Sequence, residues 1–217
     1  YYTYDAFGDI SGVNKEKSLW SDFWDMGTPD HFFSKFQLNY DLPFSKFPFF
    51  EFMRANYTYS GDFDYQRGSQ TLLQLAHQDI NTLQNGNTHN LTANFTFEQL
   101  YRYLGVKPTP RGEKTSVGKS LMTMLKTAGV NYSVTNARTI PGYTQQIGFL
   151  GTLKPSAGFM FGDQTDLRYE MAKKGYLTEF ADFNDQYISS KEKQLIITAN
   201  LQPIPDLQIN LKANRQY

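Results

Sequence analysis

The chain predicts an all-β protein: a segment of an antiparallel transmembrane β-barrel, about six to seven strands of a much larger barrel, with long surface loops and short helices. Three observations predict it. Long stretches alternate apolar and polar residues with a period of two, which puts successive side chains on opposite faces of an extended strand. Of 217 residues, 18 are Phe, 15 Tyr and 2 Trp, yet the mean hydropathy is −0.54. That combination suits strands with one greasy and one wet face. Finally, short turns gather at one end of the strands and long connections at the other, with 99–125 the one long connection on the short-turn side, much as barrels in outer membranes are built.

The elements follow in order. Tyr2, Tyr4 and Ala6 read as the end of a strand, and 7–30 as a loop with Gly27-Thr28-Pro29-Asp30 as a breaker. His31–Phe44 alternates cleanly. Phe32, Phe36, Leu38, Tyr40 and Leu42 point one way, and Lys35, Gln37, Asn39 and Asp41 the other. Pro43–Pro48 makes a tight connection, since proline is tolerated at strand ends and not inside a ladder. Glu51–Gln66 returns, with Met53, Ala55, Tyr57, Tyr59, Phe63 and Tyr65 opposed to Arg54, Asn56, Thr58, Ser60, Asp62 and Asp64. Residues 67–87 read as a second long loop. Leu72, Leu75, Ala76 and Ile80 recur there at helical spacing, and Asn85-Gly86 supplies turn chemistry.

The next strand is Thr88–Glu98, with Asn90, Thr92 and Asn94 on its polar face. A break at 99–125 precedes a strand over about Lys126–Asn136. The longest irregular stretch is 137–190, with a helix expected over Asp166–Lys174, Thr165 as its cap and Gly175 past its end. Leu195–Leu201, a turn at Pro203-Ile204-Pro205 and Leu207–Ala213 complete the series. All of 1–217 reads as one piece of one barrel domain, without an internal boundary. It carries no signal peptide and leaves edges that need neighbouring strands, so it reads as an internal fragment. No apolar run is long enough for a membrane-spanning helix.

The bland readings win for most motifs. Twenty-one basic and 21 acidic residues balance, so net charge gives no reason to expect nucleic acid. Cysteine is absent, which removes disulfides and thiolate chemistry. Gly118-Lys119-Ser120 lacks the glycine a phosphate loop needs five places earlier. Four Asn-x-Ser/Thr sequons, beginning at Asn56, Asn90, Asn94 and Asn131, fall inside strands and follow from a polar strand face. Asp62, Asp64, Asp163, Asp166, Asp182 and Asp185 match no calcium-loop pattern. His31, His77 and His89 have no zinc spacing. No catalytic, cofactor or metal residue is nominated, and the chain reads as a non-enzyme. Tyr40, Phe44, Phe47, Phe49, Phe50, Tyr65, Tyr101 and Tyr103 read as interfacial girdles. The candidate pore-lining residues are Lys35, Gln37, Asn39, Asp41, Arg54, Asn56, Thr58, Asn90, Thr92 and Asn94, with Asn210 and Lys212 beside them.

Several segments carry a resemblance. They are Leu19-Trp20-Ser21-Asp22-Phe23-Trp24-Asp25, Gly27-Thr28-Pro29-Asp30-His31, Leu42–Phe49 and Tyr57–Phe63. Asn87-Thr88-His89, Val130–Ser133, Ile140-Pro141-Gly142-Tyr143 and Gly158–Gly162 add to it. Together they resemble the SprA (Sov) family of gliding-motility cell-surface proteins of Bacteroidota. The resemblance implies the outer-membrane translocon of the type 9 secretion system. It implies secreted cargo with C-terminal sorting domains, and PorV-like shuttle and plug proteins at a lateral gate. It implies a lipid bilayer as surroundings and the cell outer membrane as location. It implies no catalytic residues. Two rivals stay open on the residues alone: a TonB-dependent nutrient-uptake barrel and a soluble β-sandwich binding module. The length of the loops also raises the expectation that they restrict the pore opening on the cell-surface side.

Overall fold

The computed structural model describes residues 29–106, 123–147, 155–204 and 206–217, together with the backbone of 2–4 and 10–13. Six long strands form one antiparallel sheet. They are β3 (His31–Leu42), β4 (Met53–Gln66), β5 (Asn81–Thr96), β6 (Leu125–Tyr143), β7 (Ile188–Ile204) and β8 (Leu207–Gln216). Each strand pairs with its neighbours in sequence, in the order β3-β4-β5-β6-β7-β8. The sheet is therefore a simple meander. Antiparallel pairing keeps partners on the same face, so the alternation of each strand continues sideways into the next.

The stub at the start is not a seventh strand of this sheet. Strand β1 (Tyr2–Tyr4) pairs instead with β2 (Ile10–Val13) in a separate two-stranded sheet. Part of the expected loop 7–30 is thus strand, and residues 14–28, including most of the Trp20 motif, lie outside the described residues. The Gly118-Lys119-Ser120 segment lies outside them as well.

Other boundaries move for physical reasons. The expected loop 67–87 ends at residue 80, because Asn85-Gly86 is not a turn. Asn85 pairs with Phe63 and Arg138, and Gly86 with Asp62 and Ala137, deep in the ladder. A local turn signal yields here to two flanking strands. Likewise β6 runs on through Pro141 to Tyr143, with Gly142 at φ +81°, a backbone conformation open to glycine. The expected stretch 137–190 therefore shrinks to 144–187. The break at 99–125 opens earlier, since Phe97–Tyr103 forms helix α2 instead of strand end. With these bounds, 97–124 is longer than 67–80. The sorting of loops by length is thus weaker than the sequence suggests, and it is carried by 144–187 against Pro205-Asp206.

Short helices sit in the connections. Helix α1 (Gln70–Ala76) starts where the Ser69 hydroxyl accepts from the Leu72 amide, and it stops at His77 in the left-handed region. Two turns of 3-10 helix, Phe44–Lys46 and Pro48–Phe50, fill the first tight connection. Helix α3 (Ala157–Met160) is capped by Ser156. Helix α4 (Arg168–Lys173) is shorter than predicted. Thr165 does not cap it but donates its hydroxyl to Asp163, and Gly175 follows at φ +69°. Among the described residues no helix is long and apolar enough to cross a membrane.

The buried core is small and lies at one end. Phe63, Tyr65, Leu83, Ile140 and Tyr143 from β4, β5 and β6 pack against Ile147, Phe159 and Met171 of the 144–187 connection. Among the described residues, most of the remaining area of the sheet has no cover on either side.

Candidate functional site

The register makes the two faces explicit. On one face every candidate pore-lining residue falls into rows. Lys35 pairs with Asp62, Asn39 with Thr58, and Asp41 with Asn56. Arg54 pairs with Asn94, Asn56 with Thr92, and Thr58 with Asn90. The Asn39 row continues through Ser133 to Gln194 and Gln216, the Asp41 row passes Asn131 and Ile196 to Asn214, and Asn200 and Asn210 extend the row of Thr96 and Thr127. Gln37, opposite Ser60, belongs to the same face, and Lys212 joins it opposite Thr198.

Cross-strand hydrogen bonds knit this face. The Asn56 amide donates to Asp41 at 2.6 Å, and the Thr58 hydroxyl donates to Asn39 at 2.9 Å. Asn131 donates to Thr92 at 3.0 Å, and Asn200 donates to Asn210 at 2.8 Å. Lys35 approaches Asp62 to 3.7 Å. Such a surface offers amides, hydroxyls and charges of both signs, with Phe33 and Ile196 as isolated apolar members. Among the described residues, no three His, Cys, Asp or Glu side chains group where a metal ion could sit.

The opposite face divides in two along the strand direction. At the short-turn end it is apolar and open. Leu42, Ala55, Ala93, Val130, Ile197 and Ala213 form one row. Tyr40, Tyr57, Leu91, Tyr132 and Leu195 form the next. Leu38, Tyr40, Leu91, Ile197 and Leu211 are all at least 40% exposed. An exposed apolar area this continuous marks a surface that meets something other than water.

Aromatic rings crowd the short-turn edge of this band. Phe44 packs edge to face on Phe50, Phe50 on Phe49 and Phe49 on Tyr103, while Phe52, Phe95, Phe97 and Tyr101 form a second chain of ring contacts. Phe47 is 58% exposed beside them. Tyr40, Tyr57 and Tyr132 mark the other edge. Tyr65, predicted to lie with these rings, does not. It is buried under the 144–187 connection, because it lies four same-face rows beyond Tyr57, where the bare band ends.

At the other end the same face is roofed. Residues 155–187 fold back over β4, β5 and β6, and asparagines hold them there. Asn85 donates to the carbonyls of Phe159 and Asp163 at 2.9 and 2.8 Å, and its own oxygen accepts from Gln164 at 2.9 Å. Asn87 donates to the Gly162 carbonyl at 2.7 Å and accepts from Asn136 at 2.7 Å. The Tyr59 hydroxyl donates to the Phe161 carbonyl at 2.6 Å. Two glycines let the backbones touch. A side chain on Gly61 would overlap the Phe161 carbonyl, and Gly162, at φ +89°, lies against Gly86 and Asn87.

Further out, Arg67 bridges Asp79 at 3.3 Å and Asp30 at 3.5 Å, and Gln78 donates to Thr178 at 2.6 Å. Leu177 bridges to Tyr143. Residues 155–187 thus do not lie over the polar face. They cover the reverse side of the sheet.

No protein-family model matches this chain, and no curated protein matches it significantly. The roof contacts were not foreseen from sequence. The available signal was the face itself: Leu83, Asn85, Asn87, His89 and Leu91 share one side of β5, so amides interrupt an otherwise apolar row.

Proposed function

We propose that this sheet is a section of the wall of an outer-membrane β-barrel, with the bare apolar band against lipid and the polar face lining the lumen. The observation that carries the reading is the band. It is apolar, exposed and continuous across β3 to β8, while the face behind it is predominantly polar. Along β7 it covers Leu195–Ile204, close to the roughly 9–11 tilted residues that cross the hydrocarbon core. Rings at both edges fit the interfacial belts of such walls. In lipid the open edges of β3 and β8 would be paired by further strands, since unmet backbone groups there cost several kcal/mol each.

With the resemblance to the SprA family, the wall belongs to the protein-export pore of type 9 secretion, which passes folded cargo bearing C-terminal sorting domains. A wide, mixed-charge lumen without apolar patches suits that cargo, and barrel diameter grows with strand number. PorV-like shuttle and plug partners belong to the same proposal.

Spin labels placed one at a time from 194 to 201 in the intact parent protein test the wall. Accessibility to a hydrocarbon-soluble relaxant should peak at 195, 197, 199 and 201. A profile without alternation overturns it. Depleting the parent from cells tests the export reading. Cargo with the sorting domain should then accumulate inside the cell envelope, and unchanged export with failed nutrient uptake would favour the transporter.

A further inference from the structure

The apolar-side face of β7 and β8 carries charge at only one end, and that charge has one sign. Lys193 lies on this face opposite Val134, Lys191 opposite Asn136, and Arg215 opposite Leu195. Arg215 stands in the band's outermost row, and Lys193 and Lys191 occupy the next two rows on the side of the long connections. The one acidic residue of the two strands, Glu192, pairs with Thr135 and so belongs to the polar face.

Among the described residues none of the three cations has an acidic partner. The Arg215 guanidinium lies over the ring of Tyr217, 4.4 Å from its centroid, a contact that orients it without neutralising it. Lys191 and Arg215 are exposed, and the roof over β4 to β6 leaves this corner open. The short-turn edge differs. Lys126 there is compensated by Glu98 at 3.8 Å.

We propose that Lys191, Lys193 and Arg215 form a docking rim for the phosphate groups of anionic membrane lipids in the leaflet on the long-connection side. The proposal rests on the wall reading above and names a partner for its rim. The physics is charge complementarity and continuity. Acyl chains covering Leu195, Ile197 and Ala213 would end in headgroups level with three uncompensated cations. Long lysine stems reach along apolar surface while their ammonium groups stay wet. Clustered Lys and Arg beside a membrane attract anionic lipid, and each contributes about fivefold in association.

The test uses the intact parent in phosphatidylcholine vesicles with a minority of phosphatidylglycerol, probed by either lipid spin-labelled. Both labels should show a motionally restricted population at the protein surface. The phosphatidylglycerol population should be larger by severalfold, and salt should shrink that excess. In K191Q/K193Q/R215Q the excess should vanish while restricted phosphatidylcholine remains, which also reports that the variant is inserted. In K191R/K193R/R215K the excess should persist. If the triple neutral variant fails to insert, the single variants K191Q, K193Q and R215Q should each lower the excess in part. No excess in the wild type, or one that survives neutralisation, overturns the rim. Absence of any restricted lipid overturns the wall reading and the rim with it.

Discussion

One face of this sheet behaves in two ways within a few rows. From Leu91 toward the short turns it is bare and apolar. From Asn87 toward the long connections it is covered, and its cover is held by amides as well as by apolar packing. A strand can thus change its surroundings along its length while its alternation stays unbroken. Where the cover is protein, buried asparagines find carbonyl partners. From Leu91 to the short turns, where no described segment covers it, the face carries aliphatic side chains and rings and no asparagine. Buried polar groups are costly unless bonded, so the asparagines mark where protein covers the face.

This contrast can be broken from either side. The largest effect is expected at Gly61→Val. The new side chain would collide with the Phe161 backbone, which cannot retreat as a flexible side chain would. Lifting the roof should cost several kcal/mol locally, and hydrogen exchange of the Phe161 to Asp163 amides should become fast while the β6 ladder stays protected.

Next in size, Leu211→Arg on the bare band should destabilise the inserted parent by about 2–4 kcal/mol if that band faces the bilayer midplane. Thr198→Lys, on the opposite face, should be nearly neutral. Equal effects of the two in urea-induced unfolding from membranes would erase the distinction between the faces.

Asn85→Ala removes two donors and one acceptor beneath the roof and should cost about 1–3 kcal/mol. Asn56→Ala, on the exposed polar face, should cost within about 0.5 kcal/mol. Chemical denaturation of the two variants side by side reads the difference.

The smallest effect belongs to the outer surface of the roof. Arg168 clasps Asp166 at 3.0 and 2.7 Å and holds its carboxyl down to about 2 from an ordinary 3.8. A depressed folded value means the pair's contribution is complete above about 3.8 and lost as pH falls toward 2. Both groups are half exposed, so Asp166→Asn should change stability by less than about 0.5 kcal/mol. A pH titration of the Asp166 side-chain carboxyl by NMR should place its midpoint well below the ordinary 3.8.

Much of this was legible in the residues. The bounds of β3 appear in the alternation of His31–Leu42, and the ten candidate lining residues do share one face. Both follow from a rule that needs no partner: side chains leave a strand alternately. What misled were local signals overruled by neighbours. Asn85-Gly86 is good turn chemistry, yet β4 and β6 flank it and claim its backbone groups. Phe97 and Glu98 continue the alternation but turn into a helix, where Leu104 closes back on Leu100. Tyr65 resembled the other strand-end rings until the covering segment arrived.

Periodicity alone determined the strands, their two-sidedness and the polar set, because each is a property of consecutive residues. Only the tertiary structure decided which part of the apolar side is covered. That outcome depends on residues some seventy to a hundred positions apart, as in Asn85 with Phe159 and Tyr59 with Phe161. No window of sequence contains both partners of a bond whose stability comes from being buried together.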